Sequence, residues 1–166
     1  MTEGNGSIDT VVIEREIDAP VELVWTMWTD PHHFAAWYGP TGATIAVAEM
    51  DVRVGGTRRV CMEMPGQGAA MRMWFVGEYV EVDEPRRLVY TESIADEEGK
   101  PIPTAEIGMD KGHPSTTQVR VELVEDGGVT KMVLTHVGIP AGSAGAVGWA
   151  MALDKLTARL ATHSAQ

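Results

Sequence analysis

Trp149-Ala150-Met151-Ala152-Leu153-Asp154-Lys155-Leu156-Thr157-Ala158-Arg159-Leu160 decides the fold. Trp149, Leu153, Leu156 and Leu160 recur at i, i+4, i+7 and i+11, which is one stripe of an α-helix. Ala146, Ala150, Ala152 and Ala158 keep that helix slim, so it can lie close against a sheet. Pro140 to Gly145 reads as the turn into it, with Ser143 as its N-cap.

Upstream of this helix the pattern switches to period two. Thr117 to Val124 alternates, with Val119, Val121 and Leu123 on one face and Gln118, Arg120 and Glu122 on the other. Glu125-Asp126-Gly127-Gly128 joins it to Val129–Val137, because glycine tolerates the positive φ of a tight hairpin. Four more strands are predicted: Ile45 to Val52, Thr57 to Met64, Met71 to Val82 and Leu88 to Ser93. Gly77 marks a bulge or bend in the long one. Between Leu88–Ser93 and the hairpin, Asp96 to Ser115 holds three prolines and three glycines and reads as a long loop.

At the N-terminal side, Val11 to Ile17 is a strand, stopped by Asp18-Ala19-Pro20. Val21, Val24, Trp25 and Trp28 then follow at helical spacing. Asp30-Pro31 opens a second short helix carrying Phe34 and Trp37, ended by Gly39-Pro40. Residues 1–8 are a small polar tail, and 9–163 form a single domain. The order is β-α-α, six strands, then a long helix. Strands clustered in sequence with helices at the ends predict an antiparallel α+β fold rather than a doubly wound sheet.

Bulk properties narrow the function classes. The 166 residues fit one domain, and the formal net charge of -11 opposes binding to nucleic acid or to anionic lipid surfaces. No apolar run is long enough for membrane insertion. The N-terminus has no basic start or apolar run, and Cys61 is the single cysteine, so no intrachain disulfide forms. The cytoplasm is the expected location. His32-His33 lacks a third ligand at suitable spacing, so neither a metal nor another cofactor is expected.

Asp18-Ala19-Pro20 with Val24-Trp25, then Trp28-Thr29-Asp30-Pro31 and Trp37-Tyr38-Gly39-Pro40, resembles the opening segment of the START-like (SRPBCC) superfamily. Asp51-Val52-Arg53-Val54-Gly55-Gly56, Gly77-Glu78-Tyr79, Pro85-Arg86-Arg87-Leu88 and Gly148-Trp149 resemble the branch named after the activator of the heat-shock-protein ATPase. The resemblance spans about residues 10 to 162. It implies the helix-grip fold: a curved antiparallel sheet of about seven strands around a long C-terminal helix. It also implies a cavity between sheet and helix for apolar molecules such as lipids, polyketides or aromatics. It supplies no shared catalytic set.

Side-chain type adds to that expectation. Ten methionines and five tryptophans are many for this length. Methionine is flexible and polarizable and suits an irregular apolar cavity. The expected pocket residues are Trp25, Trp28, Trp37, Met62, Met73, Phe75, Tyr90, Met132, His136 and Trp149. His136 shares a strand face with Met132 and Leu134, and Glu92 alternates with Thr91, so an imidazole and a carboxylate are both candidates for proton transfer. Arg15 lies between Ile13 and Ile17 on one face and is expected inward, paired with Glu49 or Asp51. Trp74, Val76 and Val80 are expected outward, and a patch of that kind favours self-association into a homodimer.

Three readings are open at this point. One is a binding protein for a small apolar ligand. Another is a cyclase- or hydratase-like enzyme using the same pocket. The third is a co-chaperone-type protein-interaction module acting through an exposed apolar surface.

Overall fold

The computed structural model describes residues 10–66, 68, 71–102, 116–139 and 142–164. The expected tail and residues 103–115 of the expected loop lie outside them. The elements are β1 (Thr10–Ile17), α1 (Val21–Thr29), α2 (Pro31–Ala35), β2 (Thr44–Met50), β3 (Thr57–Met64), β4 (Met71–Asp83), β5 (Arg87–Ala95), β6 (Thr116–Asp126), β7 (Val129–Val137) and α3 (Ala144–Ser164). The seven strands form one sheet in the order β1-β7-β6-β5-β4-β3-β2, with every neighbouring pair antiparallel.

The helix starts follow from local chemistry. Pro20 occupies the N-cap of α1 and has no side-chain cap of its own. Glu125 reaches across from β6 and accepts from the Val21 N–H at 2.7 Å. Asp30 caps α2 by accepting from the His32 and His33 N–H groups. Ser143 Oγ accepts from the Ala146 N–H at 3.2 Å, the expected N-cap of α3.

Cross-strand register carries one face of the sheet into the core. Val11 pairs with His136, His136 with Val119, Val119 with Tyr90 and Tyr90 with Tyr79, so all five share a face. Against it lies the helical stripe of Trp149, Leu153, Leu156 and Leu160, each buried in the same cluster as Trp28, Phe34 and Trp37. Each buried aromatic removes about 150–250 Å² from water, which makes these rings the main apolar contribution to the core.

Several expectations are corrected. The β4–β5 register stays unbroken through Gly77 and shifts between Tyr79 and Glu81. Gly77 serves a different purpose: a Cβ there would stand 1.8 Å from the Thr91 carbonyl oxygen. Arg15 does lie on the inward face, opposite Met132, but at the sheet edge, where its head pairs with Asp154 of α3 at 3.1 Å. Glu49 and Asp51 instead pair with Arg59 and Arg53. Trp74 and Val76 do face outward, yet Trp74 is only 8% exposed, packed with Cys61 and Ala95 beneath the Arg59 guanidinium. Of the expected patch, Val80 is well exposed, while Trp74 is buried and Val76 half-buried.

Candidate functional site

Opposite the aromatic cluster, a row of polar side chains crosses the inner face of the sheet. Arg58 on β3 is 2% exposed and Glu92 on β5 is 7% exposed. They are the buried arginine and buried carboxylate among the described residues. Arg58 pairs across the sheet with Gly77, which has no side chain to stand between it and β5. The guanidinium therefore reaches over β4, lies 3.8 Å from the Tyr90 ring centroid and 5.4 Å from that of Phe34, and approaches Glu92 Oε2 at 3.5 Å. Tyr38, at the end of α2, donates to the same Glu92 oxygen at 2.9 Å.

Charge in this row is balanced and fixed. Burial by itself pulls the Arg58 guanidinium down, but Tyr90, Tyr79, Glu92 and Tyr38 around it outweigh that and hold it protonated. Burial pushes the Tyr38, Tyr79 and Tyr90 phenols up, so all three are un-ionised at neutral pH. Glu92 is therefore the counter-charge to Arg58. The row is nonetheless under-satisfied. Arg58 Nε, Nη1 and Nη2 and the Tyr79 and Tyr90 hydroxyls are buried with no hydrogen-bond partner, as is Trp28 Nε1.

Further along the inner face, His136 is fully engaged. Trp149 Nε1 donates to its Nδ1 at 2.8 Å, so the proton sits on Nε2, which donates to Thr117 Oγ1 at 2.8 Å. Thr117 in turn donates to the Glu92 backbone oxygen at 3.2 Å. Burial lowers the His136 pKa, with the Glu92 charge opposing that shift, and the imidazole is held neutral. The carboxylate of Glu92 points to Tyr38 and Arg58 rather than to His136. The imidazole and carboxylate named from sequence as separate candidates do not bond to each other, and both ring nitrogens of His136 are already engaged.

The other expected site residues divide. Trp28, Trp37 and Trp149 join Phe34 and Tyr38 in one aromatic cluster, with centroids of Trp28 and Trp37 4.7 Å apart and those of Phe34 and Tyr38 4.5 Å apart. Tyr90 lies under Arg58. Met62 is buried, and a Cβ on Gly39 would meet its sulfur at 2.8 Å; the φ of +90° at Gly39 is in any case glycine's region. Met132 packs toward the β1 edge opposite Arg15, away from the Arg58 row. Phe75 is half-buried against the core, and Met73 is 39% exposed rather than enclosed. Trp25 borders an open groove of about 390 Å³ at the junction of α1 and α2, shared with Thr29, Asp30, Val82 and Glu84. The described residues outline that groove outside the core, and what marks the interior is the set of unpaired donors.

Arg58, Tyr38 and Tyr79 escaped the sequence reading. The signal was present, since Arg58 stands two and four residues before Val60 and Met62 on one period-two face. An arginine beside a second arginine reads as a solvated strand start, and only register decides which of the two turns inward.

With this geometry in place, comparison with known families is informative. The family described as "Activator of Hsp90 ATPase homolog 1-like protein" matches residues 18–161. The chain belongs to this family. The match includes every member of the polar row, from Tyr38 through Arg58 and Glu92 to His136 and Trp149. No curated protein matches the chain. Among solved structures, a protein from Chromobacterium violaceum is 25% identical with a TM-score of 0.73, covering 92% of this chain and 96% of its own. One from Nitrosomonas europaea is 21% identical with a TM-score of 0.73, covering 98% and 99%. An AHSA1 protein from Silicibacter pomeroyi is 21% identical with a TM-score of 0.69, covering 93% and 99%. The AHSA1-family chain thus has the helix-grip fold, with the sheet on one side of its core and the long helix on the other. Among its described residues no helix is long and apolar enough to cross a membrane.

Proposed function

We propose that this AHSA1-family protein binds a small hydrophobic molecule, such as a lipid, polyketide or aromatic, between its sheet and α3. One observation carries the reading: a gradient of exposure along the inner face of β4. Met71 is 63% exposed, Met73 39%, Phe75 half-buried and Tyr79 1%. Inward-facing methionines on a sheet are normally covered, so an apolar ramp open at one end is a way in. It runs about 20 Å, at ~3.4 Å per residue, from Met71 to the row holding Gly77 and Arg58. Flexible thioethers at the mouth suit ligands of irregular outline.

The enzyme reading loses support because His136 has both nitrogens bonded. The cytoplasm is the proposed location, in keeping with a lone, buried thiol at Cys61. Native mass spectrometry of freshly purified protein tests the reading, since a co-purified compound identifies the ligand class. Saturable binding of the dye ANS by the folded protein is the expected companion result. The absence of both a retained compound and saturable dye binding would remove the proposal.

A further inference from the structure

The unpaired donors beneath α2 point to the chemistry of the ligand's polar end, on the premise that the interior binds a small molecule as proposed above. Arg58 Nε, Nη1 and Nη2 and the hydroxyls of Tyr79 and Tyr90 form one group of buried polar atoms without a well-formed hydrogen bond, although Nη1 stands 3.5 Å from Glu92 Oε2 and the guanidinium faces the Tyr79 oxygen. Buried donors without partners are uncommon in folded proteins, because each forfeits its hydration. The guanidinium carbon lies over the Tyr90 ring at 3.8 Å and the Phe34 ring at 5.4 Å, and ring faces do not replace the oxygen acceptors that five N–H groups call for. What is missing there is an oxygen acceptor.

Charge decides what kind. Arg58 already has Glu92 as counter-ion, and Tyr38 donates to the same carboxylate. His136 is held neutral by Trp149 and Thr117. A carboxylate ligand would therefore bury a second negative charge against one cation, an uncompensated charge in a core that supplies no other buried cation among the described residues. A carbonyl or hydroxyl oxygen accepts from the same donors and adds no net charge. We propose that the site takes an apolar molecule with a neutral oxygen acceptor, a ketone-type carbonyl or hydroxyl, held by Arg58, Tyr79 and Tyr90, and discriminates against the corresponding acid.

Three probes of nearly equal shape test this: 2-acetylnaphthalene, 2-isopropylnaphthalene and 2-naphthoate, titrated against the intact chain at pH 7 with tryptophan fluorescence and calorimetry. The ketone is expected to bind roughly tenfold or more tighter than the hydrocarbon, the size of one or two hydrogen bonds to a charged donor. The carboxylate is expected to bind more weakly than the ketone. In the Arg58→Met, Glu92→Gln double variant the ketone loses its advantage while the hydrocarbon binds as before. Should that variant fail to fold, Tyr90→Phe removes a hydroxyl with no other hydrogen-bond partner, and it is expected to reduce ketone binding several-fold with the hydrocarbon unchanged. Ketone and hydrocarbon binding equally would mean that water alone serves these donors, and would overturn the inference while leaving the binding reading intact. The acid binding tightest would overturn it as well. No binding of any probe would take down the binding reading and this inference together.

Discussion

Trp149 donates its indole N–H to His136 Nδ1 at 2.8 Å, tying the first turns of α3 to β7. Because the other nitrogen serves Thr117, the imidazole is useful to the fold only when neutral. Its folded pKa is lowered, chiefly by burial, below the ordinary 6.5. In the unfolded chain the imidazole takes up a proton as pH falls through about 6.5, while in the fold it does not until lower pH. Stability is thus fully present above that range and declines as pH drops from about 6.5 toward the lowered folded value. Urea midpoints measured from pH 8 to 5 should show this decline, and His136→Gln should flatten it at a cost of about 1–2 kcal/mol at pH 8. An unchanged slope in the variant would shift the effect to other groups.

Glu92→Gln leaves the Arg58 guanidinium buried without its counter-charge and is expected to cost about 3–5 kcal/mol. Arg58→Met together with Glu92→Gln should recover most of that loss, because the desolvated charge is gone. Denaturant unfolding of the wild type, both single variants and the double variant gives the cycle. Simple additivity of the two single losses would show that the pair is not coupled.

Gly77→Ala should be among the most damaging small substitutions, at roughly 3 kcal/mol or more. Its Cβ would meet the Thr91 carbonyl oxygen at 1.8 Å and the carbonyl carbon at 2.7 Å. Both are backbone atoms, so relief requires β4 and β5 to move apart. Thermal unfolding checks this, and a Tm within a degree or two of wild type would contradict the close strand approach.

Met73→Glu separates binding from stability. The side chain is 39% exposed, so the change should alter stability by no more than about 0.5 kcal/mol. It places a charge on the open ramp, and saturable ANS binding should weaken several-fold. Equal dye binding would move the way in elsewhere, with the groove beside Trp25 the next place to probe.

With Trp74 buried beneath Arg59 and against Cys61, and Val76 half-buried beside them, light scattering at high concentration is expected to give a monomer. A stable dimer would require another contact surface.

Much of this architecture was legible in periodicity alone. Trp149, Leu153, Leu156 and Leu160 announce a helix with one apolar stripe, and the alternation of Val119, Val121 and Leu123 with Gln118, Arg120 and Glu122 assigns them to one face of a strand. Both conclusions depend on backbone geometry that repeats every 3.6 or 2 residues, which is local and therefore written in consecutive residues. What tertiary structure alone decided is who meets whom. Arg15 finds Asp154, and Arg58 finds Glu92, because strand order and register bring together residues 139 and 34 positions apart. The bareness of Gly77 sets how far Arg58 can reach. No local rule encodes these distances, since a one-residue change of register would turn every one of these side chains to the opposite face.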